Sequence, residues 1–187
     1  MRPVRSLWLA GPEVWLPDFA VQASRQRALC LDAGFTPLTP DPAPPPSDDS
    51  AELEARELYA ARMARLRQAD AGVVNLTPWR GPSADVGAAF EAGVLAGLGR
   101  PVFAYLNISD EFQAEYVDRV EAFVGAQRDE AGVWRDGDGC VVEDYGLPET
   151  VMLWAEVRRL FVIVTADPLH DLTGLELCLD ALGLYAE

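Results

Sequence analysis

The sequence predicts an α/β fold in one domain, a parallel sheet with helices on both faces. Three observations predict it. Short apolar runs (residues 4–10, 35–38, 71–78 and 101–106) read as strands. Between them lie longer segments with helical patterning, so strand and helix alternate, the order that builds parallel sheets. The chain of 187 residues can bury a sizeable core and contains neither an internal repeat nor a second domain.

The elements follow in order. Residues 4–10 read as a buried strand. Residues 19–33 read as a helix stopped by Gly34 in the usual C-terminal position. Residues 35–38 make a short strand. The proline-rich run 39–49 is excluded from regular structure, because proline supplies no amide donor. It is either a loop or lid over a site, or a plain connector. Residues 50–68 form a charged helix, much of whose charge is a solvated face. The strand at 71–78 leads into a helix ending at Gly99, and 101–106 is the next strand. Residues 110–127 read as a helix. Residues 133–142 read as a small β-hairpin through an Asp-Gly turn. A long, mostly apolar helix is expected from 149 to about 164, and a last amphipathic helix over 172–184.

Composition narrows the function classes. The formal net charge is −15, and every cationic residue is Arg. A surface this acidic repels phosphate backbones, which argues against nucleic acid as a partner. A neutral substrate suits it better than a highly anionic one, although a local Arg cluster can override the global field. No apolar run approaches the roughly 20 residues needed to span a bilayer. The first residues lead straight into a strand pattern, so no signal peptide is expected. Cys30, Cys140 and Cys178 lack metal-ligand spacing and are odd in number, so buried or half-buried thiols in a reducing cytoplasm are expected.

The chemistry concentrates in Gly81-Pro-Ser-Ala-Asp85-Val-Gly87-Ala88-Ala-Phe-Glu91-Ala-Gly93. Around Glu91, the positions one helical turn away are Gly87, Ala88, Val94 and Leu95, a small and apolar stripe. A functional Glu91 and an ordinary surface glutamate are both compatible with that pattern alone. Ligands of open parallel sheets bind beyond the carboxyl ends of the strands, where the loops after residues 9, 38 and 76 lie. Asp85 and Glu91 fall at that edge. On one ideal helix they would point about 120° apart. They converge only if the helix begins near Asp85, and Pro82 and Ser83 suit such a start.

This stretch resembles the signature of the nucleoside 2-deoxyribosyltransferase family. Three further blocks carry the resemblance. Leu7-Trp-Leu-Ala-Gly-Pro12-Glu-Val-Trp-Leu-Pro17-Asp is similar to the family's first strand and ribose-side loop. Asp70-Ala-Gly-Val-Val-Asn75-Leu-Thr-Pro-Trp79-Arg80-Gly81 is similar to its third strand and loop. Glu143-Asp144-Tyr-Gly-Leu-Pro148-Glu-Thr-Val-Met152-Leu resembles the late segment that reaches a neighbouring subunit's site. The resemblance implies a flavodoxin-like, doubly wound fold and transfer of 2-deoxyribose between nucleobases. It implies no metal or organic cofactor.

By the same resemblance, Glu91 is the nucleophile that captures C1′, in the two-carboxylate logic of glycoside hydrolysis. Asp85 holds sugar hydroxyls or assists proton transfer; its alternative reading is a helix cap or first-turn dipole partner. Trp8, Gly11, Pro12, Arg62, Gly87, Ala88, Thr150 and Met152 are the expected substrate-binding positions. The last two are expected to reach the pocket of a neighbour in a homo-oligomer, a dimer or larger. Several positions depart from the family. Trp8 stands where relatives often place a Tyr that steadies the nucleophile, and an indole can only donate. Arg62 stands where relatives commonly carry Asn or Asp for base contact. Thr150-Val151-Met152 replaces Asn-Leu-Met, and Ala88 replaces a frequent Thr. Two rival functions stay open: an N-glycoside hydrolase on the same scaffold, and a non-catalytic nucleotide-binding module. His170, the only histidine, reads as a loop or cap residue. Trp79 and Arg80 either wall the pocket or simply pack, and Trp154 sits in a core or interface helix.

Overall fold

The computed structural model describes residues 4–40 and 50–186. The chain begins with β1 (Ser6–Ala10), a 3₁₀ turn over Pro12–Trp15, and α1 (Phe19–Asp32). It continues through β2 (Thr36–Leu38), α2 (Ala51–Leu66), β3 (Ala71–Asn75) and α3 (Val86–Gly97). After β4 (Val102–Ile108) come α4 (Tyr116–Val124), the short strands β5 (Gln127–Arg128) and β6 (Trp134–Arg135), α5 (Val151–Glu156), β7 (Arg159–Val164) and α6 (Thr173–Ala186). The main sheet is parallel throughout, in the order β2-β1-β3-β4-β7. This is a doubly wound, flavodoxin-like order, the fold that the family resemblance implies, with β7 as a strand the sequence does not predict.

Alternation along the buried strands sorts the core into two layers. Leu7, Leu9, Val73, Phe103 and Tyr105 face one side, where Cys30 of α1 and Leu175, Cys178 and Leu182 of α6 cover them. Trp8, Ala10, Val74, Ala104 and Leu106 face the other, against Met63 and Leu66 of α2 and Ala88, Ala92 and Leu95 of α3. Helix α1 ends as expected. Gly34 is left-handed at φ 84°, its own amide donates to Leu31 O, and the amide of Phe35 donates to Cys30 O.

Two expected elements differ. The long helix over 149–164 is a six-residue helix followed by a sheet strand. Val157 turns extended at ψ 139°, and residues 159–164 pair in register with β4 from Phe103↔Arg159 to Ile108↔Val164. The run Leu160-Phe-Val-Ile-Val164 is β-branched and aromatic, chemistry that suits a strand. No Gly or Pro separates it from α5, so its apolar character alone reads as more helix. The expected helix over 110–127 is a 3₁₀ turn (Glu111–Gln113) and the shorter α4, closed by left-handed Gly125. The expected hairpin is present in modest form. Arg135 bridges Val141 across a turn closed from Gly139 to Asp136, and β6 also pairs with β5. Most of the proline-rich run, residues 41–49, lies outside the described residues, and with it the lid-or-connector question.

A polar cluster sits where β1 and β3 end, beside the middle of β4. Glu13 is buried in the 3₁₀ turn, and its Oε1 accepts hydrogen bonds from Gln26 Nε2 (2.9 Å), Asn75 Nδ2 (2.9 Å) and Tyr105 OH (3.0 Å). Burial pushes its carboxyl above the ordinary range, and these donors oppose the rise. A carboxyl raised in the folded state contributes stability below its unfolded value of about 4.3, and that contribution is lost as pH rises through the folded value. Glu13→Gln lacks this titration. Urea unfolding across a pH series should therefore show wild type losing ground to Glu13→Gln as pH rises, and a constant difference between the two would contradict the assignment.

Candidate active site

Glu91 lies in the second turn of α3, on the face that packs against β1. Ala88 and Leu95, one turn away on either side, are buried, so the carboxylate is drawn inward and is only 5% exposed. Its neighbour on the sheet is Trp8, whose side chain is fully buried on the same face of β1. The indole Nε1 donates to Glu91 Oε2 at 2.9 Å. A buried indole must place its N–H, and a buried carboxylate must be paired, so the two satisfy each other. From α2, Arg62 brings Nη1 to 3.7 Å from Glu91 Oε1. Burial raises the Glu91 carboxyl above the ordinary glutamate range. The Trp8 hydrogen bond and the Arg62 charge pull it down, and the nearby Asp85 charge pushes it up.

Asp85 is the N-cap of α3. Its Oδ2 accepts from Ala88 N at 3.0 Å, which is the capping reading, and its Oδ1 accepts from Trp15 Nε1 at 3.1 Å. Because α3 starts at Val86, Asp85 is off the helical spiral, which is the condition for it to converge with Glu91. Both oxygens accept N–H groups, so the group is set up as an acceptor, with lone pairs left for hydroxyls. Gly87 follows it closely: a Cβ there would meet Asp85 Oδ2 at 2.9 Å.

The remaining expected positions divide. Trp8, Arg62, Asp85, Ala88 and Glu91 form one cluster, with Gly87 at its rim. Gly11 and Pro12 lie on the loop leaving β1, where Gly11 packs so closely on Glu13 and Asn75 that a side chain would collide. Thr150 and Met152 do not join Glu91 within the chain. Met152 lines an apolar groove with Ala89 and Gly93 of α3. Those positions are each two residues from Glu91, about 200° around the helix, so the groove is on the opposite side. His170 sits in the loop after β7 with Asp167 and Asp18 as partners, as a loop residue should.

Two contributors, Trp15 and Glu149, escape a reading of the sequence, which weighs Arg80 only as a pocket wall or a packing residue. Trp15 joins the 3₁₀ turn to Asp85. Arg80, left-handed at φ 56°, stacks over Trp15 and Trp79, with Cζ 5.8 Å and 5.2 Å from the ring centroids. Glu149 is buried and accepts from Ser83 Oγ (2.9 Å), Thr150 N (2.8 Å) and Ala84 N (3.3 Å). Arg119, 3.6 Å from Glu149, also donates to the carbonyls of Pro82 and Pro148. This pair ties the loop that carries Asp85 to the segment before α5. The only local trace of these contacts is an unusual density of Trp and Pro in the loops.

A sequence model described as nucleoside 2-deoxyribosyltransferase matches residues 7–152. The chain belongs to this family. An uncharacterised protein of Schizosaccharomyces pombe, C191.05c, is 25% identical over 173 residues, covering 88% of this chain and 82% of that protein. Among solved structures, a 2-desoxiribosyltransferase from Leishmania mexicana shares the fold at a TM-score of 0.63 and 24% identity, covering 94% of this chain and 97% of that one. A conserved protein from Enterococcus faecalis V583 superposes at a TM-score of 0.52 and 18% identity, over 95% and 98% of the two chains. Among the described residues, no helix is long and apolar enough to cross a membrane.

The Trp8 contact has a measurable sign. Trp8→Phe keeps an aromatic ring but deletes the donor that favours ionised Glu91. The carboxyl should therefore titrate at higher pH, read as a ¹³C shift of labelled glutamate and assigned with Glu91→Gln. An unchanged or lower midpoint would show that the hydrogen bond does not hold the anion.

Proposed function

We propose that the protein transfers 2-deoxyribose between nucleobases, with Glu91 as the nucleophile. The observation that carries this reading is the Glu91 carboxylate: withdrawn from water, pinned by Trp8 Nε1 and faced by Arg62, in a chain of this family. A carboxylate oxygen attacks C1′ as the bond to the base breaks, leaving a deoxyribosyl ester on Glu91. An incoming base then attacks the same carbon and releases the carboxylate. Asp85, with its oxygens already accepting from Trp15 and Ala88, holds a sugar hydroxyl. The substrates are a nucleoside and a free base. A net charge of −15 disfavours nucleic acid, and three free cysteines suit the cytoplasm.

The test is incubation with a 2′-deoxynucleoside, with and without a second free base. A new nucleoside formed only with the second base supports transfer. Free sugar at the same rate with or without it means hydrolysis, and no turnover favours a binding module. Ribonucleosides should react far more slowly, and Glu91→Gln should remove most turnover while the chain stays folded. A 2-fluoro-2-deoxy sugar donor should label Glu91, and mass spectrometry finding another residue labelled would sink the assignment.

We also propose a homo-oligomer with shared sites. Met152 is 79% exposed, and Trp154, Phe90 and Val86 are exposed as well. Exposed apolar side chains of this size favour association. Met152, which lines a groove on the far side of α3 from its own Glu91, and Thr150 just before it then complete the pocket of a neighbour. Met152→Asp should weaken both assembly and activity. Mixing it with Glu91→Ala subunits should restore part of the turnover, and a fully active monomer in light scattering would refute the arrangement.

A further inference from the structure

We propose that Arg62 is a catalytic residue that exchanges charge partners during the reaction, balancing Glu91 in the free enzyme and the departing nucleobase anion once Glu91 is an ester. The inference rests on Glu91 being the nucleophile. Its ground is the make-up of the Glu91 surroundings. Trp8 supplies an N–H that does not ionise in the working range. Arg62 supplies a guanidinium that stays charged and gives up no proton. Asp85 accepts on both oxygens from Trp15 and Ala88. None of these three has a proton to hand to a leaving base. A base that leaves beside them leaves as an anion and needs a positive charge.

Arg62 is placed to supply it. Its side chain is 20% exposed against 6% for Glu91, so the pair lies at the mouth of the buried carboxylate. The 3.7 Å separation is beyond hydrogen-bond range, so the attraction between Arg62 and Glu91 is coulombic. In the first step a Glu91 Oε–C1′ bond forms and the C1′–N bond breaks, its electron pair passing to the base nitrogen. The negative charge moves from Glu91 to the base, and the Glu91 ester is neutral. Arg62 loses an anion on one side and gains one on the other. The base takes its proton from water on release. An acceptor base that has lost its N–H proton to water attacks C1′, and the electron pair of the ester returns to Glu91. A donor-only guanidinium also favours bases whose anion spreads onto ring carbonyl oxygens over those presenting amino groups at that edge.

The experiment compares wild type with Arg62→Gln and Arg62→Lys on matched 2′-deoxynucleosides, in which electron-withdrawing substituents make one base a progressively better leaving anion. A pyrimidine and a purine series are both run. The loss of kcat/KM in Arg62→Gln should be about tenfold larger for the poorest leaving base than for the best. Arg62→Lys should lie between, and guanidinium ion should partly rescue Arg62→Ala. An equal loss for every base, or none, overturns the proposal, because a merely structural arginine would give that pattern. Wild-type protein that turns over no deoxynucleoside would instead remove the transferase reading on which this one depends.

Discussion

A carboxylate withdrawn from water has to be compensated where it sits, and the arrangement of three elements follows from that requirement at Glu91. An unpaired buried charge would cost many kcal/mol, far more than a domain can spare (about 5–15 kcal/mol of net stability). The compensation comes from separate parts of the chain: an indole N–H from the middle of β1 and a guanidinium from the penultimate turn of α2. Trp8 can reach Glu91 because strand alternation turns it toward α3. Ala88 can pack beside it because a larger side chain would hold helix and sheet apart. The relative placement of β1, α2 and α3 is thus fixed by polar chemistry as well as by Leu66, Leu95 and the apolar layer around them.

Behind this cluster lie two polar ties with a different task. Glu13, Gln26, Asn75 and Tyr105 join the loop after β1 to the end of β3, the middle of β4 and α1. Arg119 and Glu149 join the loop before α3 to the approach to α5. Loops at the carboxyl ends of strands carry backbone groups that no ladder satisfies, and Arg119, Glu149 and Asn75 satisfy some of them. Trp15 and Asp85 are thereby brought to one place although they sit on separately anchored loops. The cluster around Glu91 is thus braced from beneath and from its side by residues that do not belong to it.

The strand–helix alternation was legible as far as β4, because Gly34, Gly99 and the prolines punctuate it. It failed at residues 157–159, where a helix gives way to a strand with no breaker between them and only pairing with β4 decides the matter. The inward placement of Glu91 was legible because its neighbours one turn away are small and apolar, a local pattern. Asp85 was legible as a cap, and it is a cap in the structure. Glu13, Glu149 and Trp15 were not. Their meaning lies in partners tens of residues away, and a sequence displays a charge or a ring without displaying what it is buried against. Trp8 was read correctly as a donor, since an indole has no other polar role.

The pairing pattern of the main sheet has a kinetic side. Ser6 lies opposite Thr36, Leu7 opposite Ala71, Gly72 opposite Val102 and Phe103 opposite Arg159. No two neighbouring strands of this sheet are joined by a tight turn, so every ladder closes a long loop before its first contact is rewarded. The one local ladder, β5 with β6, lies outside the sheet and gives it no nucleus. Trp8, Arg62 and Glu91 all precede β4 in the chain, but the sheet beneath them is complete only when the strand at 159–164 docks. Such a topology belongs among the slow folders, and the strand whose edge stays open until residues 159–164 dock is β4, the longest of the sheet and buried at all seven positions.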